Sequence, residues 1–162
     1  MNEMLAAGVI VDYALFGAAA QMRYTEPVAT LDADMLVGLL SDAGLAILAP
    51  IYEFCRQRGF PAEGDAVRVG AWPVQFIPAF NSLTREAMEQ ADTADFEGVP
   101  LRVVSAEYLA TIALETGRSK DMARILALLE SGRVTRQRIE ALAQRHGLAE
   151  AWRRFNMRFL DE

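Results

Sequence analysis

Cysteine is nearly absent from this chain: Cys55 is the only one in 162 residues. That excludes a disulfide framework and any metal cluster built on cysteine. Within Tyr52-Glu53-Phe54-Cys55 it reads as a small buried hydrophobe. No apolar run approaches the roughly 18–20 residues needed to cross a bilayer. The start, Met1-Asn2-Glu3-Met4, carries an acid where a secretory signal would carry bases. Low-complexity linkers and internal repeats are absent too. The expectation is a soluble cytoplasmic protein with no membrane partner. Disorder is excluded from the other side, because 52% of the residues are hydrophobic and only 23% are charged.

Basic charge is scarce as well, and the net charge is −6. Residues 1–130 hold 9 basic against 18 acidic side chains (−9), and residues 131–162 hold 7 against 4 (+3). The whole chain therefore has no strong nucleic-acid signature. The C-terminal arginines read first as the wet faces of amphipathic helices. Lys120 is the only lysine, a bias that points to base composition before function.

What is present divides near residue 105. Before it, short β-type runs alternate with helical stretches; after it, the apolar spacing is helical to the end. Residues 3–8 read as a short helix, Val9 to Phe16 as the approach to a strand that Gly17 stops, and Ala18 to Arg23 as a helix broken before Pro27. Leu31 to Val37 alternates as a second strand, and residues 45–58 as an amphipathic helix. Val67-Arg68-Val69 and Val74-Gln75-Phe76-Ile77 form a hairpin around Gly70-Ala71-Trp72-Pro73. A helix starts near Ser82, and a second hairpin turns at Glu97-Gly98. Beyond Ser105 come four helical stripes: Tyr108/Leu109/Ile112/Ala113, Met122/Ile125/Leu126/Leu129, Ile139/Leu142/Ala143 and Trp152/Phe155/Phe159. His146 falls at a helix C-terminus, where an imidazole meets free carbonyls. Both tryptophans, Trp72 and Trp152, read as packing residues. The fold class is α+β: a small mixed sheet with flanking helices over 1–104, then a helical part over 105–162 packed on it.

One constellation carries chemistry. A strand runs through Gly17 into a helix, and the next strand carries Asp32-Ala33-Asp34. Backbone N–H groups at Gly17 and Ala18 suit a phosphate. Carboxylates at i and i+2 share one strand face, and like charges there repel unless a cation such as Mg²⁺ lies between them. Anion and metal subsites together describe nucleoside triphosphate chemistry.

At these residues the chain resembles the nucleotidyltransferase superfamily, and within it the small prokaryotic proteins related to nucleotidyltransferase toxins of abortive-infection, toxin–antitoxin-like systems. The resemblance rests on Tyr13-Ala14-Leu15-Phe16-Gly17-Ala18-Ala19-Ala20, on Ala29-Thr30-Leu31-Asp32-Ala33-Asp34-Met35-Leu36-Val37, and on Ser105-Ala106-Glu107-Tyr108-Leu109 followed by Gly117-Arg118-Ser119-Lys120-Asp121. It implies that Asp32 and Asp34 are catalytic and hold Mg²⁺. It also implies that Gly17, Ala18, Thr30, Arg118 and Lys120 bind an NTP. The reaction implied is transfer of a nucleoside monophosphate to a hydroxyl on a protein, RNA or small molecule. Arg118, Lys120 and Asp121 read equally well as capping residues of a helix.

The chain departs from the family pattern at four places. Ala18 replaces a Ser or Gly, Val28 an Arg, and Ala113 a Lys. Gln75 stands on the strand that should supply a third carboxylate, with Asp95 the nearest substitute. A catalytically inactive module that binds nucleotide or a protein is the alternative, and self-association through the C-terminal helices is left open.

Overall fold

Central strands buried on both faces cannot show a clean polar–apolar alternation, and that is the situation here. The computed structural model describes residues 1–40 and 47–160. Its N-terminal part comprises helix α1 (Asn2–Ala6), strand β1 (Asp12–Phe16), helix α2 (Gly17–Gln21), strand β2 (Ala33–Gly38) and helix α3 (Ala49–Gln57). Strands β3 (Ala62–Glu63), β4 (Ala66–Val69) and β5 (Trp72–Pro78) follow, then helix α4 (Ser82–Glu89) and strands β6 (Asp92–Phe96) and β7 (Val99–Val103). Four helices complete the chain: α5 (Ala106–Thr116), α6 (Ser119–Glu130), α7 (Arg136–Arg145) and α8 (Ala149–Phe159). Residues 45 and 46 of the helix expected over 45–58 lie outside the described residues. Among the described residues no helix is long and apolar enough to cross a membrane.

The strands form one seven-stranded mixed sheet in the order β3-β4-β5-β2-β1-β7-β6. β1 and β2 are antiparallel, while β2–β5 and β1–β7 are parallel. Ala14, Leu36 and Val103 point to one face and pack with Leu83 of α4, Leu109 of α5, Leu128 of α6, Ile139 of α7 and Phe155 of α8. Tyr13, Val37 and Phe76 point to the other, against Met4 of α1 and Ile51, Phe54 and Cys55 of α3. Cys55 is buried, as expected.

Three local readings change. The first hairpin closes through Gly70-Ala71, so Trp72 and Pro73 already belong to β5, and Trp72 is 49% exposed at the tip. Gly70 at φ +62° permits the tighter turn. Helix α4 starts at Ser82 as expected, and the residue before it, Asn81, is the cap, whose Oδ1 accepts the Thr84 N–H at 2.8 Å. The buried face of α6 carries Asp121, Ile125 and Leu128, about a residue away from the expected stripe, leaving Met122, Leu126 and Leu129 half-buried. The stripes of α5 and α7 lie where expected; on α8 Trp152 and Phe155 are buried and stack at 5.6 Å, while Phe159 is exposed.

Candidate active site

The site is built where β1 ends. Gly17 turns the chain out of the strand with φ +67°, a region that side chains rarely adopt. A Cβ there would collide with Asp34 Oδ2 and stand 3.0 Å from Asp34 Cγ and 3.2 Å from Asp34 Cβ. The glycine thus does more than stop a strand: its missing side chain is the space that the Asp34 carboxylate occupies.

Asp34 sits on β2 opposite Phe16 on one side and Gln75 of β5 on the other. Residues in register on neighbouring strands share a face, so Asp34 and Gln75 point the same way as Leu36 and Ile77, toward α5 and α6. The strand expected from Leu31 begins only at Ala33, so Asp32 lies in the bend that leads into β2 and not on a strand face with Asp34. Thr30 shapes that approach: its Oγ1 donates to the Asp32 carbonyl at 3.0 Å and to Asp32 Oδ1 at 3.2 Å. Burial, and then the charge of Asp32, raise the Asp34 carboxyl above its ordinary value, while Arg124, Lys120 and Arg118 pull it back. The same ordering holds for the repulsion expected between the two acids, which is real but second to desolvation.

The opposite wall is the α5–α6 corner. Gly117 closes α5 in the left-handed conformation. Arg118 then donates from Nε to Asp121 Oδ2 at 2.6 Å and from Nη2 to Oδ1 at 3.3 Å, and its backbone N–H also reaches Oδ2. Asp121 is fully buried; Lys120 is exposed. Between this wall and the sheet lies a cleft of about 150 Å³ whose lining includes Phe16, Leu36, Ile77, Ala113, Arg118 and Arg124. The structure therefore brings Gly17, Asp32, Asp34, Arg118 and Lys120 to one region, with Ala18 on the first turn of α2 and Thr30 held against Asp32.

Asp95 does not belong there. Its strand, β6, is the outer strand of the sheet, three places from β2, and it pairs with Pro100 near the far end of β7. Asp95 Oδ1 accepts the Gly98 N–H at 2.9 Å and closes its own turn. His146 also departs from expectation: it caps α7, but its Nε2 stands 2.7 Å from Glu86 Oε2 on α4. Two residues absent from the sequence reading complete the wall. Arg124 of α6 donates from Nε to Gln21 Oε1 of α2 at 3.0 Å. The signal for Arg124 was its spacing, three residues after Asp121 and four before Leu128 on one helical face.

Carboxylate oxygens are hard ligands and suit Mg²⁺. Asp32 and Asp34 fit one such ion, with its remaining positions left to phosphate and water. Among the described residues no group of three or more His, Cys, Asp or Glu could hold a metal.

The seven-stranded mixed sheet with its flanking helices is a nucleotidyltransferase-like fold. The chain is similar to an antigenic nucleotidyltransferase-like protein from Paracoccidioides brasiliensis, with TM-score 0.56 and 13% identity over 93% of this chain and 88% of that one. It is also similar to the antibiotic-resistance factor ANT(2'')-Ia, with TM-score 0.50 and 13% identity over 97% and 95% of the two chains. No family model matches the sequence, and no curated protein matches it.

Proposed function

We propose that this protein is a Mg²⁺-dependent nucleotidyltransferase that moves a nucleoside monophosphate from an NTP to a hydroxyl on a protein, RNA or small molecule. The observation that carries the reading is the Asp34 carboxylate seated in the space left by Gly17, beside Asp32 and facing Arg118, Lys120 and Arg124. Placing acids this close costs stability on its own, and a bound cation offsets that cost. Mg²⁺, when bound, would neutralise the two carboxylates and take up charge on the departing pyrophosphate.

The chain's own residues do the rest. Asp32 and Asp34 hold the ion, with Thr30 orienting Asp32. The backbone at Gly17 and Ala18 leaves room for phosphate, and Lys120 and Arg124 of α6 meet its charge. The acceptor oxygen bonds to the α-phosphorus as the bond to pyrophosphate breaks, and the hydroxyl proton is released to water. Gln75 lies beside Asp34 and takes no proton at neutral pH, so it orients the acceptor without deprotonating it. The toxin-like role and the cytoplasmic location belong to the same reading.

Gln75 also favours a second reading, a silent module that binds nucleotide and signals to a protein partner. Calorimetry with each NTP and Mg²⁺ or Mn²⁺, followed by label transfer into RNA and lysate protein, separates the two. Divalent-dependent binding and transfer, both lost in an Asp32→Ala/Asp34→Ala protein, are expected. Binding without transfer supports the silent module, and no divalent-dependent binding overturns both. Gln75→Glu restores a third acid and should tighten Mn²⁺ binding about tenfold, the effect of one added charge contact.

A further inference from the structure

The cation wall holds one member whose placement a purely structural role does not explain. The Arg124 side chain is only 12% exposed. Burying a guanidinium is costly unless a carboxylate meets it closely, as Asp12 meets Arg102 at 2.7 and 2.9 Å in this same molecule. Arg124 has only a looser one. Among the described residues its hydrogen bond goes to a neutral amide, Gln21 Oε1, and its ion pair is with Asp121, whose Oδ1 stands 3.5 Å from Nη1 and whose carboxylate is already gripped by Arg118 at 2.6 Å. Burial accordingly pulls the Arg124 guanidinium below its ordinary pKa, with Asp121 opposing. By contrast Arg118 is 58% exposed and committed to Asp121.

The direction of Arg124 is set by what surrounds it. It lines the cleft that begins at Phe16, the residue before Gly17. Gln21, which holds its Nε, lies one helical turn after Gly17 and is itself 4% exposed. Position 113 on α5 is an alanine and brings no charge to the cleft; the other charged residues that line it are Glu115, Arg118 and Asp121.

We propose that Arg124, oriented by Gln21, is the cleft's main contact to the phosphate chain of the bound nucleotide, and that Arg118 is a positioning residue which keeps Asp121 from neutralising it. This rests on the nucleotide-binding reading above. The ligand class is a nucleoside di- or triphosphate: the guanidinium's Nη groups donate to non-bridging phosphate oxygens, which supply the close anionic partner that the protein withholds.

The test compares ATP–Mg²⁺ binding by calorimetry with Mn²⁺ binding alone, in the native protein, Arg124→Gln and Arg124→Lys. Loss of a charge-assisted contact should weaken ATP–Mg²⁺ about 10- to 100-fold in Arg124→Gln, with partial recovery in Arg124→Lys and a smaller loss in Gln21→Ala. Mn²⁺ alone should bind as well as or better than in the native protein, because a cation facing Asp34 has gone. Equal weakening of both ligands in Arg124→Gln and in Arg124→Lys would assign Arg124 a purely structural role and overturn the proposal. Native binding of ATP–Mg²⁺ with an unchanged Arg124→Gln affinity overturns it while leaving the nucleotide-binding reading intact. Failure of the native protein to bind ATP–Mg²⁺ overturns both.

Discussion

At the scale of single residues, the most constrained position is Gly17. Its φ of +67° is costly for any other residue, and the Asp34 carboxylate fills the place of its Cβ. Gly17→Ala should therefore destabilise the protein by about 1–3 kcal/mol in urea unfolding. In an Asp34→Ala background the collision is relieved and only the backbone term remains, so the cost should fall to about 1 kcal/mol. Equal costs in the two backgrounds would show that the carboxylate does not lie over the glycine. Gly17 and the Asp32/Asp34 pair were legible as a spacing in the chain. That the first is there to make room for the last was not, because residues seventeen apart come together only when β1 and β2 pair.

At the scale of elements, caps divide helices that hold themselves from helices held by their surroundings. Asn81 accepts the Thr84 N–H at 2.8 Å, so Asn81→Ala should cost about 1 kcal/mol of stability. Ser105 occupies the same position before α5 but makes no capping bond. Eight of the eleven α5 residues are buried, from Ala106 to Leu114 with Glu107 the exception, so packing holds this helix. Ser105→Ala should change stability by less than about 0.5 kcal/mol. Equal losses in the two variants, read from urea midpoints, would contradict this division. Helices and hairpins were readable from spacing and turn residues. The orientation of α6 was not, because its inward face includes the Asp121 carboxylate and the largely buried Arg124, and a hydropathy stripe cannot register an ion pair turned inward.

At the scale of the whole molecule, stability and the site compete through pH. The Asp34 carboxyl is raised above its ordinary value by burial and by Asp32. Between its ordinary value and the raised one the native state binds more protons than the unfolded chain, so this group's contribution to stability falls as pH rises. Glu86 works the other way: Tyr108, His146 and Arg145 lower it despite burial, so its contribution is present above the unfolded value and lost as pH falls through the folded one. Asp34→Asn should match the native protein near pH 3 and exceed it in stability toward pH 7, with EDTA present. Added Mg²⁺ should close the gap. Urea midpoints that differ by the same amount at every pH would show that Asp34 carries no such penalty.

The amino-acid sequence by itself determined the strands, hairpins and helices, the Asp-x-Asp spacing, and the lack of an acid at Gln75. These follow from local spacing, turn chemistry and side-chain type, which act over a few residues. Tertiary structure alone decided that Gln75 stands beside Asp34, that Asp95 lies on the outer strand of the sheet closing its own turn, and that Gln21 holds Arg124 across 103 residues of chain. Strand order and helix rotation settle those, and both depend on how two faces of one sheet are covered at once.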